Sequence, residues 1–205
     1  MLVGNAVIGQ SGGPTVAINA TLAGVIRGLF EADCIGEIYG MRNGVEGLLG
    51  RRLIDLRDAI RSEDDLVLLS HTPAAALGSC RKKLPESGGD ESEYRKLFSI
   101  FEEYNIRYFF YIGGNDSMDT VAKVSAYAAK TGYDIRVMGV PKTIDNDVMG
   151  TDHTPGYGSA AKFIAASMQE IMRDCAVYTV PAVTIVEIMG RDAGWLTAAA
   201  ALTRL

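Results

Sequence analysis

The run Pro141-Lys142-Thr143-Ile144-Asp145-Asn146-Asp147 sets two carboxylates two residues apart beside a lysine and a hydroxyl. Phosphoryl transfer needs a cation against the transferring oxygens, a metal ligand, and a carboxylate that takes a hydroxyl proton; this run holds a candidate for each. A solvated Asp-Asn-Asp turn is the competing reading, but it leaves Lys142 and Thr143 unaccounted for. Gly113-Gly114-Asn115-Asp116-Ser117 is either a metal-phosphate loop or a helix start capped by Asp116 or Ser117. Gly9-Gln10-Ser11-Gly12-Gly13-Pro14-Thr15 either offers backbone N–H groups to a phosphate or forms a plain tight turn. It is neither a Walker A loop nor a G-x-G-x-x-G loop. In Glu187-Ile188-Met189-Gly190-Arg191-Asp192-Ala193-Gly194, Arg191 either grips an anionic substrate or pairs with Glu187 or Asp192. His71 and His153 stand apart and outside any zinc-ligand spacing, and Met168, Met172 and Met189 read as core.

The elements that must position these loops alternate along the chain. Apolar runs at Val3–Ile8, Ile35–Tyr39, Tyr108–Ile112, 135–140 and 183–188 predict strands, with Leu66–Leu69 a further candidate. Between them, Ile18, Leu22, Val25, Ile26 and Leu29 share one helical face, as do Tyr94, Leu97, Phe98, Phe101 and Tyr104. Helices are also predicted near 117–130, near 159–173 and from about 193. Continuous apolar strands separated by helices predict an α/β fold built on a parallel, Rossmann-like sheet with helices on both faces. In such sheets ligands bind outside the carboxyl ends of the strands, where all four loops fall. Residues 81–92, polar with Pro and Gly, predict a mobile surface loop. The helix-forming stretch at the C-terminus stops without Gly or Pro, which suits a chain cut inside a larger domain.

Composition narrows the class. The 205 residues are 48% hydrophobic and 22% charged, as in a globular protein. A net charge of −5 argues against duplex nucleic-acid binding through a basic surface. No apolar run approaches the roughly 20 residues of a membrane span, and the first residues lack the basic region of a signal peptide. Three scattered cysteines (Cys34, Cys80, Cys175) read as reduced thiols of a cytoplasmic protein.

The four loops together, as G-G at the first turn, G-G-[DN]-x-S, P-x-T-I-D-N-D and M-G-R in this order, resemble the phosphofructokinase family across essentially the whole chain. The resemblance implies a phosphofructokinase-type catalytic domain over 1–205, present as an N-terminal lobe plus the start of a second and truncated at its C-terminus. It implies a glycolytic phosphotransferase that phosphorylates the 1-hydroxyl of fructose 6-phosphate, giving fructose 1,6-bisphosphate. Asp145 would be the base, with Thr143 and Ile144 lining the substrate and Met189, Gly190 and Arg191 binding the sugar phosphate. Gly12, Gly13 and Arg81 (in Gly78-Ser79-Cys80-Arg81) would bind the donor, and Asp147 and Asn115 would serve Mg2+, directly or through water. The family further implies a cytoplasmic homo-oligomer, dimer or tetramer, with no membrane or nucleic-acid partner.

Two positions bear on the donor. ATP-using relatives generally have glycine at the place of Asp116 and a small residue at that of Lys142, so this chain looks like the pyrophosphate-dependent branch, whose reaction is reversible. A carboxylate at Asp116 would repel a nucleotide α-phosphate by about 4 kcal/mol at 4 Å and an effective dielectric near 20. Lys142 would supply a cation to the transferring phosphate. The alternatives are an ATP-dependent 6-phosphofructokinase and a non-catalytic regulatory paralogue. Asn115 stands where many relatives have Asp, and Ala182 where some place an arginine that reaches a neighbouring subunit. The family's remaining sugar-phosphate ligands lie in its second half, so these 205 residues alone are expected to turn over little.

Overall fold

Successive side chains of a strand point to opposite faces, so a strand lying between two helix layers must be apolar on both. Gly4–Gln10 (β1) meets that condition in the computed structural model: Val7 enters one core, Ala6 and Ile8 another, and all three are fully buried. The structure describes residues 2–15, 17–86 and 89–203. The chain divides into two units, with the boundary between Pro141 and Lys142.

The first unit is a five-stranded sheet. β1 is followed by Ile35–Met41 (β2), Leu53–Asp55 (β3), Ile106–Gly113 (β4) and Arg136–Pro141 (β5), in the spatial order β3-β2-β1-β4-β5. β1 pairs in parallel with β2 and β4, and β4 with β5. β3 runs antiparallel to β2, so the sheet is mixed where a wholly parallel one was expected. Three residues at an edge carry too little periodicity to be read from sequence.

Helices cover both faces. Ile18–Phe30 (α1), Leu56–Ala59 (α3) and Glu63–His71 (α4) bring Ile18, Leu22, Ile26, Leu56 and Leu66 against Ile8. Gly44–Leu49 (α2), Ser92–Glu103 (α5) and Asn115–Thr131 (α6) bring Val45, Leu48, Leu97, Phe101 and Val124 against Val7. The candidate strand Leu66–Leu69 therefore lies in α4. Its start is a capping box: the Ser62 hydroxyl accepts from the Asp65 N–H, and the Asp65 carboxylate accepts from the Ser62 N–H.

Two fully buried carboxamides pin a long loop to this sheet. Gln10 donates from Nε2 to Asn19 Oδ1 (3.0 Å) and to the Ile18 carbonyl (3.2 Å), and its Oε1 accepts the Leu77 N–H (2.9 Å). Asn19 accepts the Ala76 N–H (2.9 Å) and donates to the Thr72 carbonyl (2.8 Å). Asn19 stands three and seven residues before Leu22 and Ile26 on the buried stripe of α1, and a polar residue on such a stripe is a signal the sequence already carried. Gln10→Leu would strand the Leu77 N–H, and an unsatisfied buried donor costs about 1–3 kcal/mol. A urea titration is expected to show that loss as a lower midpoint at unchanged slope; an unchanged midpoint would refute the pin.

The second unit contains Tyr157–Cys175 (α7) and Trp195–Ala200 (α8), which pack on each other. Among its described apolar residues only Leu196 and Ala199 are buried, while Phe163, Val183 and Ile185 are exposed. The strand expected at 183–188 is absent: the segment is irregular, since a strand needs a ladder partner and none lies beside it among the described residues. Met189, expected in a core, is 72% exposed, and Met168 and Met172 are half-buried. Among the described residues no helix is long and apolar enough to cross a membrane.

Candidate active site

The strand order reverses between β1 and β4, and open α/β sheets bind ligands at the carboxyl ends on either side of such a reversal. Two of the four loops leave the sheet there. Ser11 follows β1, donates its N–H to the Ile112 carbonyl (2.9 Å) and pairs its buried hydroxyl with that of Ser117, 106 residues away. Gly113 closes β4, and a Cβ there would lie 1.9 Å from Ser117 Oγ, so this glycine is required for the hydroxyl pair to form. At Gly13 a Cβ would meet nothing within 4 Å; packing does not demand that glycine.

The residues of the first unit expected to bind the donor are joined through this frame. Gly12, at φ 77°, donates its N–H to the Cys80 carbonyl (3.2 Å) and accepts the Ser79 hydroxyl at its own carbonyl, which fixes the turn that carries Arg81. Tyr111 lies beneath: its oxygen accepts the Val45 N–H (3.1 Å) and sits 3.6 Å from Cys80 Sγ, and burial pushes its phenol pKa well up. The expected mobile loop is anchored over 81–86, with Leu84 buried and Tyr94 donating to the Pro85 carbonyl (2.6 Å). Lys123 reaches the Leu84 carbonyl (3.3 Å), Glu86 (2.7 Å) and Asp119 (2.8 Å), and the Asp119 and Glu86 carboxylates raise its pKa. Ser87 and Gly88, also in the expected loop, lie outside the described residues.

At the start of α6 the capping expectation fails. Gly114 is the N-cap, Asn115 opens the helix, Asp116 stands in its first turn and Ser117 is turned inward to Ser11. Asp116 favours that end of the helix dipole and forms an ion pair with Lys83 at 3.0 Å. The sequence reading missed Lys83, because the pairing spans 33 positions and joins a loop to the start of a helix.

The remaining expected site residues, Lys142 to Asp147 and Met189 to Arg191, belong to the second unit. β5 ends at Pro141, paired with Gly113, and Lys142 is the next residue in the chain. Lys142 is buried, which pushes its ammonium pKa down, while the charge of Asp145 pushes it partly back up. Thr143 Oγ1 accepts the Asp145 N–H (3.0 Å), and Thr143, Ile144 and Asp145 are half-buried. Asp147 is exposed. Met189 leads into a turn of Gly190 to Ala193, closed by the Ala193 N–H on the Gly190 carbonyl (2.9 Å). Gly190 at φ 138° suits a residue without a Cβ, and Arg191 at φ 47° occupies a region rarely used by branched or bulky side chains. Among the described residues Arg191 forms no ion pair, so the alternative partners Glu187 and Asp192 do not hold it, and no hydrogen bond joins it to the 143–147 loop.

Known proteins are similar to this chain. A pyrophosphate–fructose 6-phosphate 1-phosphotransferase of Xanthomonas campestris pv. campestris is 47% identical over 204 residues, 98% of this chain and 48% of that protein. One from Halomonas elongata is 46% identical over 203 residues, 97% of this chain and 48% of the relative. This chain thus spans about half the length of the curated relatives it matches. The crystal structure of a pyrophosphate-dependent phosphofructokinase from Marinobacter aquaeolei superposes with a TM-score of 0.84 at 45% identity, over 99% of this chain and 50% of the other. The phosphofructokinase family model matches residues 5–204. That match runs from the first strand past the last helix and takes in all four loops, so the chain belongs to the phosphofructokinase family.

Proposed function

We infer that this chain carries the catalytic residues of a pyrophosphate-dependent 6-phosphofructokinase, a glycolytic enzyme. The 1-hydroxyl oxygen of fructose 6-phosphate attacks the terminal phosphorus of pyrophosphate, the new O–P bond forms, and the bridging P–O bond breaks to release inorganic phosphate. Asp145 takes the hydroxyl proton, and Lys142 faces the charge that gathers on the transferring and leaving phosphates. Arg81 and the backbone around Gly12 and Gly13 bind the donor, and Met189, Gly190 and Arg191 bind the sugar phosphate with Thr143 and Ile144. The reverse transfer from fructose 1,6-bisphosphate to phosphate uses the same residues.

The observation that carries this reading is the charged pair of residue types, Asp116 in the first turn of α6 and Lys142 directly after β5. Relatives 46% and 47% identical, named for this reaction, support it. Mg2+ fits Asp147, since this ion needs one or two protein carboxylates besides water and substrate phosphates; Asn115 offers an amide oxygen, a weaker ligand. When bound, the ion neutralises charge on phosphate oxygens. A cytoplasmic homo-oligomer, dimer or tetramer, completes the proposal.

The test is turnover of the full-length protein with each donor. Pyrophosphate is expected to support faster turnover than ATP, and the opposite order would overturn the reading. Asp116 also yields a graded prediction. Its carboxylate is exposed and paired with Lys83, so its repulsion of a nucleotide phosphate falls between about 1 kcal/mol in water and about 4 kcal/mol at a dielectric near 20. Asp116→Gly is therefore expected to raise kcat/KM for ATP between about fivefold and a thousandfold, toward the lower end. Unchanged ATP use would remove Asp116 from donor selection.

A further inference from the structure

The 143–154 loop holds a polar clamp to which neither the sequence motif nor the reaction assigns a part. Asn146 is 9% exposed with its backbone at φ 59°, a left-handed conformation that asparagine tolerates better than most residues. Its carboxamide donates to the Asp152 carbonyl (3.0 Å) and accepts the Thr154 N–H (2.8 Å). Thr154, 3% exposed, donates its hydroxyl back to the Thr143 carbonyl (2.8 Å), with Asn146 Oδ1 at 3.4 Å. The Thr154 carbonyl in turn accepts the Tyr157 N–H (3.1 Å), which ties the clamp to the first residue of the 19-residue helix α7.

These bonds bracket Ile144 and Asp145. Thr143 is held at its carbonyl by Thr154 and caps the Asp145 N–H with its hydroxyl; Asn146, the next residue, is held at its side chain. Asp145 lies between two fixed points, and its own backbone N–H is bonded within the loop. We propose that Asn146 and Thr154 are positioning residues that fix the backbone of Asp145 so that its carboxylate meets the acceptor hydroxyl. The proposal rests on the reading of Asp145 as the base. Neither residue needs to touch substrate. Their effect comes from geometry, because displacing a reacting group by about 1 Å can cost about a hundredfold in rate.

Three variants of the full-length protein separate this role from general loss of structure. Thr154→Val keeps shape and removes the hydroxyl; Thr154→Ser restores it. Asn146→Gly permits the left-handed backbone and removes the carboxamide. Thr154→Val and Asn146→Gly are expected to lower kcat about tenfold to a hundredfold with KM for the donor within about twofold. Thr154→Ser is expected to keep at least about half of kcat, since it keeps the bond to the Thr143 carbonyl. In parallel, amide hydrogen exchange of residues 143–146 is expected to quicken at least about tenfold in Thr154→Val and to stay unchanged in the strands of the first unit. The clamp is overturned if Thr154→Val keeps kcat within twofold, if Ser is as impaired as Val, or if exchange at 143–146 does not change. Should the wild-type protein transfer phosphate from neither donor, the functional reading falls, and the exchange comparison still decides whether the clamp fixes the loop.

Discussion

Asp145→Asn is expected to lower kcat by about 10²–10⁴ while KM for the sugar phosphate moves less than about threefold. A carboxamide has nearly the shape of the carboxylate but cannot take the proton of the attacking hydroxyl, and a positioned base contributes about that factor. The loss equals about 3–5.5 kcal/mol of transition-state stabilisation. It should appear in kcat, since proton transfer belongs to the transition state and not to ground-state binding. The bond to Thr143 Oγ1 uses only the backbone N–H of Asp145, so the substitution leaves that bond intact. Steady-state kinetics on the full-length protein checks this. A kcat within tenfold of wild type, or a loss confined to KM, would take the base role from Asp145.

Lys142→Met should be nearly as severe, lowering kcat by about 10²–10³, the usual effect of deleting one donor aimed at developing charge. This residue also yields a pH signature. Burial pushes the ammonium pKa below its ordinary 10.5, and the charge of Asp145 offsets only part of that shift. Only the protonated form stabilises phosphate charge, so activity is lost as pH rises through the lowered pKa, before an ordinary lysine would titrate. Stability runs the other way. In the window between the lowered and ordinary values the unfolded chain binds more protons, so the contribution of Lys142 to folding improves with rising pH. Lys142→Arg, whose guanidinium stays charged, is expected to retain part of the activity and to shift the alkaline limb upward. Superimposable profiles for lysine and arginine, or a methionine variant within threefold of wild type, would refute this assignment.

Much of the frame was legible one segment at a time. Tyr108–Ile112 is too continuously apolar for a half-exposed strand, and it forms most of β4 between β1 and β5. Tyr94, Leu97, Phe98 and Phe101 share a helical face and lie together in one core, as the stripe required. The misread segments were those in which local pattern leaves two answers. Four apolar residues at Leu66–Leu69 suit strand or helix; the Ser62–Asp65 capping box decides for helix, and that signal was present in the sequence. The apolar residues of 183–188 suit a buried strand, yet a strand forms only beside a partner.

The sequence by itself determined which residue types stand at the carboxyl ends of β1, β4 and β5, because that depends on spacing along a chain of known periodicity, whereas the Glu187–Gly194 loop, expected at a fourth strand end, follows an irregular segment. Tertiary structure alone decided the partners. Ser117 bonds Ser11 across 106 positions instead of capping α6, Asp116 meets Lys83 from another loop, and Gln10 and Asn19 close on residues 72–77. The Ser117, Gln10 and Asn19 choices follow from the need of buried polar groups for a partner, and the nearest partner is set by which strands lie side by side, not by proximity in sequence, whereas Asp116 and Lys83 meet as exposed opposite charges.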